Sequence, residues 1–128
     1  MNSVPCQSAP APHAVLSVVT AVPRPGVWLL RAHGEIDAHS IVVLERAAAS
    51  ATAGRELTGL VLDFTRVRFL SAAGLDLLSD LLLQGRREGF TVRVAASTRP
   101  VLRTFALVGV DDPALLHESV PAALDSLD

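Results

Sequence analysis

The chain contains no lysine; all eleven basic side chains among its 128 residues are arginine. That absence excludes a phosphate-binding loop of the Gly-Lys-Ser/Thr kind, and no GxGxxG occurs either. There is a single cysteine, Cys6. No internal disulfide can form, and the thiol alone cannot complete a zinc site. His33 and His39 lack familiar metal spacing, so neither a metal nor a cofactor is expected. The arginines are scattered, with only Arg86-Arg87 adjacent, and the formal net charge is -2. No basic stripe for nucleic acid is present. No apolar run approaches membrane-spanning length, and the first residues lack the basic start and apolar segment of a signal peptide. A cytoplasmic protein is expected, with no nucleic-acid or membrane partner.

What is present is an apolar half: hydrophobic residues make up 50% of the chain. That suffices for one small domain around a single core. Residues 1–13, MNSVPCQSAPAPH, are Pro/Ser/Ala-rich and aperiodic and read as a disordered tail. Residues 14–128 read as the domain.

Ala14 to Ala21 predicts a first strand and Val27 to Ala32 a second. Pro23, Pro25 and Gly26 between them break the first and favour an antiparallel hairpin. Trp28 reads as a core or edge-packing residue. Asp37 or Ser40 can cap a helix from about Ser40 to Ala53, with Ile41, Leu44, Ala47, Ala48 and Ala51 on its apolar face.

Leu60, Val61 and Leu62 form a continuous apolar run, the signature of a strand covered on both faces. Asp63 and Thr65 mark its expected end. A loop follows in which Val67 and Phe69 should be pinned to the core. A helix from Ala72 to Glu88 then buries Gly74, Leu77, Leu78, Leu81, Leu82 and Gly85, leaving Leu83 on its polar side. Thr91 to Ala96 alternates like a strand, which implies a parallel pair with a right-handed crossover. A third helix begins at Ser97 or Thr98 with Pro100 in its first turn. Its apolar side is Val101, Leu102, Phe105 and Val108. Leu115-Leu116 is a short last strand and Val120 to Leu127 a final helix. The expected core includes Leu62, Leu77, Leu81, Val94 and Phe105.

In open α/β sheets ligands and partners meet the carboxyl ends of strands. Residues 65 to 74 are therefore the first place to look for function. Ser71 is the obvious nucleophile candidate, but a nucleophile elbow needs glycines two residues either side, and Phe69 and Ala73 stand there. No histidine is near it in sequence. Asp37 and Asp63 read as a cap and a strand-end residue. An enzyme is not expected.

The stretch Leu62-Asp63-Phe64-Thr65-Arg66-Val67-Arg68-Phe69-Leu70-Ser71-Ala72-Ala73-Gly74-Leu75 resembles the signature of STAS domains, the anti-sigma factor antagonists. Their pattern is a strand, D-[LF]-[ST]-x-V-x-[FY]-[LIM]-D-S-[ST]-G-[LI], then a helix. Gly34-Glu35-Ile36-Asp37 resembles their G-E-[LI]-D, and Leu107-Val108-Gly109-Val110-Asp111 is similar to their L-x-G-[LV]-D. Together the matches cover about residues 14 to 127.

The resemblance implies a STAS-like α/β fold. Its mixed sheet has about four to five strands, the first hairpin antiparallel and later strands mainly parallel, with about four helices. It implies a regulator that binds an anti-sigma factor, often a serine kinase of histidine-kinase-like ATPase fold, and so controls sigma-dependent transcription. A homodimer stays open. The partner-binding residues it implies here are Asp37, Thr65, Ser71, Ala72, Ala73, Gly74 and Asp76.

One departure matters. The family's phosphoacceptor serine aligns with Ala72, which has no hydroxyl. The preceding Asp aligns with Ser71 and the following Ser/Thr with Ala73. Three readings stay open: partner binding without the usual serine phosphoswitch, Ser71 as a displaced acceptor, or a structural STAS subunit of a larger signalling or transport complex.

Overall fold

The computed structural model describes residues 16–54 and 56–128. The expected tail at residues 1–13, and the first two residues of the expected first strand, lie outside them.

Strand β1, Leu16–Arg24, turns at Gly26 into β2, Val27–Ile36. Gly26 has φ 81°, a conformation that favours glycine, and an added Cβ would meet Thr58 Oγ1 at 2.9 Å. The two strands pair antiparallel, from Leu16 opposite Gly34 to Arg24 opposite Val27. Pro23 does not end β1. The strand absorbs it in a register irregularity between Ala21 and Arg24, as an edge strand can.

Helix α1 covers Ile41–Thr52, β3 Gly59–Leu70, α2 Ala72–Glu88 and β4 Thr91–Ala95. Then come α3, Arg99–Leu107, β5, Leu116–His117, and α4, Val120–Asp125. The sheet order is β1-β2-β3-β4-β5. Only the first pair is antiparallel; β2–β3, β3–β4 and β4–β5 are parallel. This is the expected mixed α/β sheet, with β3 at its centre.

One sheet face carries the main core. Leu30, Leu60, Leu62, Phe64, Val92 and Val94 pack there with Leu44, Ala48 and Ala51 of α1, Leu78 and Leu81 of α2, and Val101 and Phe105 of α3. Of the expected core residues, Leu62, Leu81, Val94 and Phe105 are buried and Leu77 is half-buried. Trp28 packs half-buried against the same cluster. On the other face Leu29, Val61 and Ala95 meet Ala123 of α4. Leu60 to Leu62 are thus covered on both sides, as a continuous apolar run requires.

The largest departure from the sequence reading is the length of β2 and β3. Strand β3 does not stop at Asp63. It runs on to Leu70, paired with β2 as far as Ile36. Gly34-Glu35-Ile36 therefore belongs to β2 rather than following it. Strand β4 ends opposite Asp63, at Ala95, so the last part of β3 is flanked by β2 and not by β4.

The register of β3 against β2 shifts twice, between Arg31 and His33 and between Gly34 and Glu35. At each shift β3 holds one residue more than β2, the definition of a bulge. Bulges destroy the period-two pattern, so this stretch looked like a loop. They also separate Val67 from Phe69: Val67 is 0% exposed and Phe69 49%. The expected pinning of Phe69 to the core is wrong, because the extra residue Arg68 sits where the alternation breaks.

Smaller corrections lie near the carboxyl end. Leu102 and Val108 are exposed, so the buried side of α3 is only Val101 and Phe105. The last strand is displaced by one residue from Leu115-Leu116, and the final helix stops at Asp125 rather than Leu127. Leu83 is exposed, as read.

Candidate functional site

The pairing of β2 with β3 reaches Ile36 and Leu70, and just beyond it Ser71 N donates to the Ile36 carbonyl at 2.9 Å. Asp37 follows Ile36 directly, so the turn before α1 and the start of α2 are neighbours. That juxtaposition builds the site.

Asp37 organises the turn. Its Oδ1 accepts from His39 N at 2.9 Å and from Ser40 N at 2.8 Å. The Ser40 hydroxyl donates to the Glu35 carbonyl at 2.7 Å and accepts from Asp37 N at 2.9 Å. Of the two expected caps, Ser40 is the N-cap residue but makes no side-chain bond to the helix, and Asp37 instead ties down the turn that leads into it. The Ser40 N–H is the main reason the Asp37 carboxyl is held below its ordinary value; it outweighs the opposing effect of desolvation, and the His39 N–H, the Ser40 hydroxyl and the nearby His39 act in the same lowering direction.

Ser71 is the N-cap of α2. Its backbone is extended, φ -91° and ψ 177°, and its Oγ accepts from Ala73 N at 3.2 Å. Ala72 is exposed at the first helical position and Ala73 is half-buried. Gly74 is buried, and a Cβ there would overlap Leu70 Cδ1 and stand 3.0 Å from Ile36 Cγ2. Glycine lets the start of α2 close onto the ends of both strands. Asp76 is exposed one turn after Ala72.

Beside this end runs a groove of about 500 Å³ between α2 and the segment after α3. Ala72, Leu75, Asp76, Ser79 and Leu82 form one wall; Val108, Val110, Asp112 and Leu115 form the other. It is mostly apolar, with Asp76 and Asp112 as its acidic groups. Gly109, at φ 74°, ends α3 and turns the chain into the second wall.

Asp37, Ser71, Ala72, Ala73, Gly74 and Asp76 therefore gather at one end of the molecule. Thr65 does not join them. It stands in mid-strand, where its N–H and hydroxyl donate to Asp63 Oδ1 at 2.9 and 2.6 Å. Asp63 pairs in register with Arg31, six residues before Asp37, which puts the two carboxylates roughly 20 Å apart along the strand. They form no acid–base pair. Phe69 is the surface residue that sequence reasoning missed at this end. Its only signal would have been a bulge at Arg68, which one sequence does not display. Among the described residues no group of three or more His, Cys, Asp or Glu could hold a metal ion, and no helix is long and apolar enough to cross a membrane.

A parallel-rich sheet with one antiparallel hairpin, and a helix start packed by glycine onto two strand ends, define the class of domain to which the motifs pointed. The STAS domain family model matches residues 19–123. The chain belongs to the STAS domain family.

The chain is 32% identical over 109 residues to the anti-sigma-F factor antagonist RsfB of Mycobacterium tuberculosis, covering 83% of this chain and 85% of that protein. Among solved structures it resembles an anti-sigma factor antagonist from Mycobacterium paratuberculosis, with TM-score 0.78 and 28% identity over 91% of this chain and 97% of the other. It also shares the fold of the Bacillus cell fate determinant SpoIIAA in its phosphorylated form. There the TM-score is 0.69, with 15% identity over 88% of this chain and all of the other.

Proposed function

We propose that this protein is an anti-sigma factor antagonist that binds its partner through the end of the sheet described above. The contact surface comprises the Asp37 turn, Phe69, the Ser71–Gly74 helix start and Asp76. The partner is an anti-sigma factor of the serine-kinase type with a histidine-kinase-like ATPase fold, and its capture frees a sigma factor for transcription. The observation that carries this reading is the bond from Ser71 N to the Ile36 carbonyl. It brings the two motif regions onto one surface, in a chain 32% identical to an anti-sigma-F factor antagonist. The role is one of binding, not catalysis. The Ser71 hydroxyl caps a helix and has no histidine beside it in the sequence.

We further propose that the usual serine phosphoswitch is absent. Ala72 and Ala73 carry no hydroxyl, and Ser71 lies one position before the usual acceptor.

The test is titration calorimetry of the full chain against the anti-sigma factors of its own organism, followed by sigma release in transcription assays. Binding by at least one, with release of its sigma factor, is expected. Phe69→Ala should weaken that binding about tenfold or more while leaving the unfolding midpoint unchanged, because the ring is exposed. Binding to none of them, together with co-purification with transport or stress-complex subunits, would replace this reading with that of a structural STAS subunit. Ala72 and Ala73, which accept no phosphate, fit that role as well.

A further inference from the structure

The sheet face covered by α4 is apolar only over part of its length. Beyond Leu29, Val61 and Ala95 it turns polar, with Arg31 and His33 on β2 and Asp63, Thr65 and Arg66 on β3 lining one cleft. The first bulge of β3 is responsible. Phe64 and Val67 both enter the main core, so the two residues between them, Thr65 and Arg66, both face the cleft. Glu118, just before α4, stands on the facing wall. The cleft is open to solvent on one side and measures about 560 Å³, within the range of small-molecule sites.

A patch of charged side chains on the inner strands of a sheet is not what packing requires, since such faces are ordinarily apolar and covered. Asp63 is only 8% exposed. Its Oδ1 is taken up by Thr65, and its Oδ2 lies 3.7 Å from Arg31 Nε. That leaves the terminal nitrogens of Arg31, the guanidinium of Arg66 and the ring of His33 without side-chain hydrogen-bond partners among the described residues. Glu118 is likewise unpaired among them. The floor offers donors for an oxyanion, and the facing wall offers an acceptor for a hydroxyl or amine.

We propose that this cleft binds a small molecule carrying a phosphate or carboxylate at one end and a hydroxyl or amine at the other. The oxyanion lies between Arg31 and Arg66, where a forked guanidinium suits it; the donor end reaches Glu118. The cleft is on β2 and β3 ahead of the Ile36 and Leu70 ends, apart from the candidate partner surface, and the proposal does not depend on which partner docks there.

The test is an amide NMR titration of the full chain at constant ionic strength with glycerol 3-phosphate, glycerate and inorganic phosphate. Saturable shifts at Arg31, His33, Arg66 and Glu118, at about millimolar affinity or tighter, are expected with at least one of the first two. Which of them binds identifies phosphate or carboxylate as the oxyanion. Inorganic phosphate should bind about tenfold more weakly, for want of the group that meets Glu118. Arg31→Ala combined with Arg66→Ala should abolish the shifts, while Arg103→Ala on α3 should not; should the double variant misfold, Arg66→Ala alone serves, since Arg66 is exposed. No saturable shift with either organic anion, equal affinity for inorganic phosphate, or unchanged binding in the arginine variants would overturn the proposal.

Discussion

Asp37 does for the turn before α1 what Ser71 does for the start of α2: a side-chain oxygen accepts from backbone N–H groups that would otherwise lack a partner. The two differ in charge. Because hydrogen bonds hold the Asp37 carboxyl below its unfolded value, its charge stabilises the fold above the unfolded pKa, about 3.9. That contribution is lost as pH falls through the lower native value. Asp37→Asn keeps an acceptor and removes the charge. The variant should unfold at lower urea than the wild type at neutral pH, and the gap should close as pH drops below about 4. A gap that persists unchanged into acid would mean that the charge contributes nothing.

At the scale of elements, α2 and β3 show what a single sequence discloses. The helix was legible at about its observed bounds, Ala72 to Glu88, because its apolar residues recur with a period of 3.6 and Gly89 ends it. Gly89 adopts φ 89°, the left-handed stop that glycine supplies. Strand β3 was legible only over its continuous apolar run, Leu60 to Leu62. Beyond Asp63 two bulges shift the register, and each reverses which side chains face inward. Phe69 reached the surface for that reason, and Thr65 lies in mid-strand, short of the strand ends where the rest of the candidate site gathers. The groove was not legible at all, because its walls lie far apart in the chain.

Two substitutions in α2 test its packing. Leu81 is 3% exposed, so Leu81→Ala should cost about 2–5 kcal/mol. A loss below roughly 1 kcal/mol in urea unfolding would place that helix face wrongly. Gly74→Ala sets two effects against each other. Alanine favours a helix by about 1 kcal/mol, but its Cβ would overlap Leu70 and crowd Ile36, and overpacking costs about 1–3 kcal/mol. The steric effect should win, giving a net loss measurable by the same unfolding curve. A variant as stable as the wild type would show that the strand ends yield easily.

The candidate partner surface lies at one end of the whole molecule, and there Ala72 is exposed although Ile36, Leu70 and Gly74 beneath it are buried, so charge added on the outside of that end need not disturb the fold. A phosphate at position 71 or 72 would bring about -1.5 to -2 charges near neutral pH to the start of α2, a site that favours anions. Its effect would fall on the partner, by bulk and by repulsion of any acidic surface there. Whether the phosphate can arrive is a matter of aim. Ala72 is the first helical residue and is exposed, whereas Ser71 directs its oxygen back to Ala73 N at 3.2 Å. One residue at a helix start is a rotation of about 100°. A kinase gripping this end in a fixed pose would meet no hydroxyl in line with the γ-phosphate, and phosphoryl transfer depends chiefly on that alignment. Incubated with ATP and the partner kinase, the wild type should stay unmodified by intact mass. Ala72→Ser should gain one phosphate and bind the kinase more weakly afterwards. Rapid, stoichiometric phosphorylation of the wild type that vanishes in Ser71→Ala would make Ser71 the switch and overturn this account.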